Sequence, residues 1–160
     1  MSEPNTTAQP TSNPAPSTER PVPGEVGGDD APRLVQHGAD RVPSEFLDRA
    51  VIHYLVTADG ARLRTAYWSG GTQPCRGTVM VLSGFSEFIE KYYETAYDLC
   101  ELGFAVLCFD WRGQGLSTRA QKERRGWVPN YEIMMHDTLE LVSYRDELNA
   151  PNPLIAFGHS

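Results

Sequence analysis

The sequence predicts an α/β fold in which an antiparallel edge hairpin precedes parallel strands joined by crossover helices. Three observations carry this. Residues 78–82, 105–109 and 154–157 are short, continuous apolar runs, the pattern of strands buried on both faces. Between them lie two longer stretches with apolar residues at helical spacing. Ahead of them, two alternating segments rich in Val, Ile and Tyr flank Asp59-Gly60, a hairpin signal because Gly accepts positive φ without steric penalty. The order hairpin, strand, helix, strand, helix, strand implies right-handed crossovers behind the hairpin.

The 160-residue chain divides unevenly. Residues 1–32 hold seven of the twelve prolines, much Ser, Thr, Asn and Gly, and no aromatic residue. Such a stretch cannot bury enough apolar surface to offset its conformational entropy, so a disordered tail is expected. It sets Arg20 alone against Glu3, Glu19, Glu25, Asp29 and Asp30, which accounts for most of the chain's net charge of −7. The remainder is only mildly acidic, and nothing suggests a nucleic-acid partner. Residues 33–49 read as a connecting arm ending in a short helical turn at Pro43-Ser44-Glu45-Phe46-Leu47, and residues 50–160 as the α/β domain.

Within that domain, residues 50–57 and 62–68 form the hairpin, and 70–74 a loop. After the strand 78–82 and the turn Ser83-Gly84-Phe85, a helix is expected over 90–102, with Tyr92, Ala96, Leu99 and Cys100 on one face. Gly103 stands where a helix C-cap should be. The strand 105–109 closes at Asp110, and the loop 111–130 carries Gly113, Gly115, Gly126 and Pro129. A second helix over 131–148 presents Met134, Thr138, Leu141 and Leu148 on one side. Asn149-Ala150-Pro151-Asn152-Pro153 breaks it, and the last strand, read as buried, follows.

No basic start followed by an apolar run marks a secretory signal, and no apolar stretch nears the roughly 20 residues needed to span a bilayer. Cys75, Cys100 and Cys108 are odd in number and lie in or beside apolar segments, as reduced thiols of a cytoplasmic protein do. None has the nearby His or paired Cys that a nucleophile or metal ligand requires, so no metal and no cofactor is expected.

The chemistry concentrates at strand ends. Gly158-His159-Ser160 follows a buried strand, and Gly-x-Ser there is the first half of a nucleophile elbow. The turn is expected to be so tight that a side chain at Gly158 would clash. His159 is the variable residue of that turn and receives no catalytic role. Ser83-Gly84-Phe85-Ser86-Glu87-Phe88 lies between a strand and a helix, where a glycine lets a backbone N–H point into the crevice at the strand ends. An ordinary strand-to-helix turn explains the same residues. Asp110-Trp111-Arg112-Gly113-Gln114-Gly115-Leu116-Ser117 lacks the third glycine of a dinucleotide fingerprint, so nucleotide binding is disfavoured. Arg119, Lys122, Arg124 and Arg125 form a basic run that either is a solvated loop or meets an anionic head group at the inner face of a membrane. His136 and Asp137 diverge by about 100° on a helix and cannot act as a pair; Asp137 is expected to tie the helix to a loop and His136 to be exposed.

These segments together resemble a family. The stretch 81–87 with Lys91-Tyr92, the run Asp110 to Ser117, Arg125-Gly126, Tyr131, Asp137 and Gly158-His159-Ser160 are similar, in order, to the α/β-hydrolase superfamily. Within it they most resemble bacterial lysophospholipases and the monoacylglycerol lipase-like, serine aminopeptidase-like serine hydrolases. Ser83 and Phe88 depart from the pattern, each standing where the family has His. The resemblance implies Ser160 as nucleophile, the Phe85 N–H as half of the oxyanion hole, and a lipid or small-molecule carboxylic ester as substrate. It also implies that the chain reaches only the fifth strand of the sheet, since the triad acid and His follow the nucleophile in this fold. Asp98, Asp110 and Asp137 all precede it and are not recruited. The 160 residues alone are therefore expected to be inactive, and the alternative is an inactive remnant or a binding-only protein of the same fold. Dehalogenase and epoxide hydrolase readings are disfavoured, because those place Asp at the elbow.

Overall fold

The computed structural model describes residues 41–71, 74–119 and 126–159. The expected tail 1–32, residues 33–40 of the arm, Lys122, Arg124, Arg125 and Ser160 lie outside the described residues. The elements follow the expected order: α1 (Ser44–Asp48), β1 (Val51–Val56), β2 (Arg62–Trp68), β3 (Thr78–Leu82), a 3₁₀ turn (Ile89–Tyr92) running into α2 (Tyr93–Glu101), β4 (Ala105–Phe109), α3 (Tyr131–Glu147) and β5 (Leu154–Gly158). They form one five-stranded sheet in the order β1-β2-β4-β3-β5. β1 and β2 pair antiparallel, with Val56 opposite Arg62 across the Asp59-Gly60 turn, where Gly60 has φ +83°. β2 is antiparallel to β4, and β3 lies parallel to both β4 and β5.

The period of two along each strand divides the core into two layers. Val79 and Val81 of β3, with Val106 and Cys108 of β4, point to the face covered by α1 and α2, where Tyr93, Ala96 and Cys100 complete the packing. Met80, Leu107 and Phe109 point to the opposite face and pack beneath Leu141 and Tyr144 of α3. The connecting arm joins the first layer: the Phe46 ring stacks on Trp68 with centroids 5.2 Å apart, and the Trp68 indole donates to the Phe46 carbonyl at 3.0 Å. Helix α2 ends as its sequence dictates, with Gly103 at φ +87° accepting the left-handed position past the last turn.

Three expectations need correction. The last strand reads as buried in sequence, yet along β5 Ile155 is 40% and Phe157 44% exposed. Among the described residues β5 is an edge strand paired with β3 alone, and past Leu154, which packs against the core layer beneath α3, its residues are exposed, so apolarity here does not translate into burial. The expected clash at Gly158 is also absent: a Cβ built there meets nothing within 4 Å among the described residues, because the edge leaves the space open. The first turn of the helix after β3 is 3₁₀ rather than α, and the Ile89 N–H that opens it donates to the Asp110 carboxylate at 2.9 Å instead of to a local cap.

Candidate active site

The carboxyl ends of β3 and β5 lie side by side, with Leu82 opposite Gly158. This brings the turn after β3 against the turn after β5, and the His159 N–H donates to the Leu82 carbonyl at 3.1 Å. Ser83, Gly84, Phe85, Trp111, Gln114, Gly126, Val128, Tyr131, Met134 and His159 line a cleft there of about 360 Å³. Its walls are mostly aromatic or aliphatic, and it opens at the edge where α/β sheets bind ligands. The Phe85 ring is 72% exposed at its lip and lies against Gly126, where an added Cβ would come within 2.9 Å of the ring. The Phe85 N–H meets no acceptor among the described residues.

The sequence residues chosen for this site therefore converge. Phe85, Gly158 and His159 come together at adjoining strand ends, and Ser160, the next residue along, lies outside the described residues. Asp98, Asp110 and Asp137 are not in the cleft lining. Asp137 is buried and binds Arg112 at 2.7 Å, tying α3 to the loop after β4, and His136 is exposed.

What sequence reasoning missed is the polar scaffold beneath the loop 83–88. Glu87 accepts from the Gly84 N–H at 2.9 Å, from Lys91 at 2.7 Å, from the Tyr92 hydroxyl, and from His159 Nδ1 at 3.1 Å. Lys91 first, then Tyr92, with help from the Gly84 N–H and His159, hold its carboxyl down to about 2. Burial first, and the Glu87 carboxylate next, push the Tyr92 hydroxyl up to about 12. From the other side, the Glu87 N–H donates to Gln114 Oε1 at 2.9 Å, and the Trp111 indole donates to the Ser83 carbonyl at 2.7 Å. The loop after β4 is thus a support for the turn after β3.

That support is itself anchored by buried charge. Arg64 on β2 meets Glu90 and Asp110, each at 2.7 Å. Asp110 also accepts from the Leu116 N–H at 2.8 Å and the Ile89 N–H at 2.9 Å. Full burial pushes the Asp110 carboxyl up, opposed by the Arg64 guanidinium and these two N–H groups. Gly115, at φ +48°, is required here, since an added Cβ would fall 2.1 Å from the Asp110 carboxylate. A second cleft of about 360 Å³ is lined by residues of the same loop, and of its charged residues Arg64 and Glu90 pair with each other while Glu87 is held by Lys91. The one sequence signal for this web was a charged residue, Arg64, at an inward position of an alternating strand.

The thiols sit apart from the cleft lining. Burial pushes Cys100 up to about 11 and raises Cys108 as well, which disfavours either as a nucleophile. Among the described residues no cluster of His, Cys, Asp and Glu could hold a metal ion, and no helix is long and apolar enough to cross a membrane.

Comparison with known proteins agrees with this geometry. A family model described as serine aminopeptidase, S33, matches residues 73–160. An abhydrolase domain-containing protein of Dictyostelium discoideum is 29% identical over 106 residues, covering 66% of this chain and 10% of that protein. A soluble variant of monoglyceride lipase from Saccharomyces cerevisiae, solved with a substrate analogue, is 25% identical with a TM-score of 0.53, over 69% of this chain and 34% of the lipase. An esterase from Pyrococcus furiosus shares the fold at 20% identity and a TM-score of 0.59, over 79% of this chain and 47% of the esterase. The chain thus spans a tenth of the first relative's length and less than half of either solved structure.

Proposed function

The chain belongs to the serine aminopeptidase S33 family and has the α/β-hydrolase fold, and from that premise we propose that it supplies the nucleophile and one oxyanion donor of a serine hydrolase acting on fatty-acyl esters, of the lysophospholipid or monoglyceride class. In this reading Ser160 Oγ attacks the ester carbonyl while a histidine outside these 160 residues takes its proton. The Phe85 N–H donates to the oxyanion of the tetrahedral intermediate. Collapse of the intermediate expels the alcohol, which leaves with the proton held by the histidine, and the acyl group stays on Ser160. Water then attacks the acyl-enzyme with the same histidine as base and releases the fatty acid.

The observation that carries this reading is the apolar cleft, with Phe85 at its lip, beside the residue that precedes Ser160. Aromatic and aliphatic walls suit an acyl chain better than a charged or sugar substrate. The likeness to a monoglyceride lipase supports the same class. The basic run Arg119, Lys122, Arg124 and Arg125 adds a contact with an anionic lipid surface, from the cytoplasmic side of the membrane.

Release of fatty acid by the full-length protein tests the reading. Hydrolysis of lysophospholipid or monoglyceride, abolished by Ser160→Ala, is the expected result. Neutralising the four basic residues should slow action on lysophospholipid in anionic bilayers more than on a short neutral ester. No hydrolysis of any ester would contradict the proposal and favour a binding-only protein of this fold.

A further inference from the structure

Glu87 is the junction of the site, because one side chain touches both turns that must cooperate. Its Oε2 accepts from the Gly84 N–H at 2.9 Å on the turn after β3, and lies 3.1 Å from His159 Nδ1 on the turn after β5. A carboxylate has no proton to give, so the imidazole Nδ1 is the donor in this contact. The backbone presses directly on the pair: a Cβ at Gly84 would come within 2.9 Å of His159 Nδ1 and 3.0 Å of Glu87 Oε2. A side chain at Gly84 would push the imidazole or the carboxylate out of this contact. On the far side Lys91 and Tyr92 hold the carboxylate, and its own N–H is held by Gln114.

We propose that Glu87 is a positioning residue that clamps the turn carrying the Phe85 N–H to the turn carrying Ser160. Phe85 follows the clamped Gly84, and Ser160 follows the clamped His159 in sequence, so this carboxylate oxygen adds a side-chain tie between the two turns to the backbone bond from the His159 N–H to the Leu82 carbonyl. Ser86 supports this. It is a non-glycine residue at φ +62°, a costly backbone state that persists only where the surroundings fix it. Gly84 and Glu87, on either side of it, are the residues so fixed. Glu87 touches neither substrate nor reacting atoms; it acts through the two turns. The catalytic consequence rests on the serine hydrolase reading, whereas the clamp itself rests on geometry alone.

Two readouts in the full-length protein test it. Glu87→Ala should lower kcat on a short ester by about 10²-fold, the loss typical of a misplaced oxyanion donor, with KM within about twofold. Glu87→Gln, which keeps the shape and one acceptor oxygen, should recover about tenfold of that loss. The exposed Arg41–Asp98 pair provides a control, and Asp98→Asn should leave kcat unchanged. Independently of activity, amide exchange at Gly84 should quicken about tenfold or more in Glu87→Ala and less in Glu87→Gln. If the wild-type protein hydrolyses no ester, the hydrolase reading falls while faster Gly84 exchange still upholds the clamp. A drop in kcat with Gly84 exchange unchanged, or neither quantity changed, would overturn it.

Discussion

Arg64 on β2 is a charged side chain only 1% exposed, held by Glu90 and Asp110, whereas Phe157 on β5 is an apolar side chain 44% exposed. The two flanks of one sheet thus invert the usual assignment of polar and apolar groups. Around β2 and β4 the molecule removes charge from water and gives it short, direct partners. Along β5, which leads to His159 in the cleft, the described residues leave apolar side chains uncovered. The difference teaches that the support of the cleft is complete among the described residues, while β5 beside it stays open to solvent there.

The largest effect expected from this contrast concerns residues 33–160 expressed alone. An exposed apolar edge is a template for association between chains, and a few uncovered side chains at about 1.5–3 kcal/mol each are comparable to a domain's whole margin of about 5–15 kcal/mol. The segment should be insoluble or molten by near-UV circular dichroism and show no esterase activity. A soluble monomer with sharp thermal unfolding would break the contrast.

Next in size is Arg64→Ala in the full-length protein. It strands the Glu90 and Asp110 carboxylates in the interior, and chemical denaturation should show a loss of about 3–5 kcal/mol. A pair of aliphatic truncations then sharpens the comparison. Leu107→Ala, in a fully buried position on β4, should cost about 2–5 kcal/mol. Ile155→Ala should cost as much only where β5 is covered by the rest of the protein; equal, small losses at both positions would show that β4 is no better packed than β5.

The smallest effect is a pH dependence. Glu87 sits at about 2, below its ordinary 4.5, so its contribution to stability is fully present above pH 4.5 and is lost as pH falls from there towards 2. Denaturation midpoints of wild type and Glu87→Gln should therefore converge over that interval. Curves that stay parallel would mean that the carboxylate's charge adds nothing to the fold.

Strand identity was legible because β3 and β4 are continuous apolar runs bounded by turn residues, and their limits coincide with the expected ones. The meeting of Phe85 with the turn after β5 followed from the family resemblance, which implied the two as parts of one site. Burial of β5 was misread because apolarity reports what a strand prefers, not whether a neighbour exists to cover it. The scaffold was not legible for a different reason. Arg64, Glu90 and Asp110 are 26 and 46 residues apart in their pairings with Arg64, and no local period marks an ion pair that only tertiary packing creates. Glu87 was visible as part of a motif, but its link to His159 spans 72 residues and depends on the β3–β5 pairing.

The central claim is that Ser160, one residue beyond His159, is the activated nucleophile of the cleft. Treating the full-length protein with a serine-directed phosphonate and locating the adduct by mass spectrometry tests it most directly. Only a serine with an aligned base and oxyanion donors reacts readily with such a probe. The account expects one adduct, on Ser160, and none in Ser160→Ala; labelling that persists in Ser160→Ala, or an adduct at another serine, would contradict it.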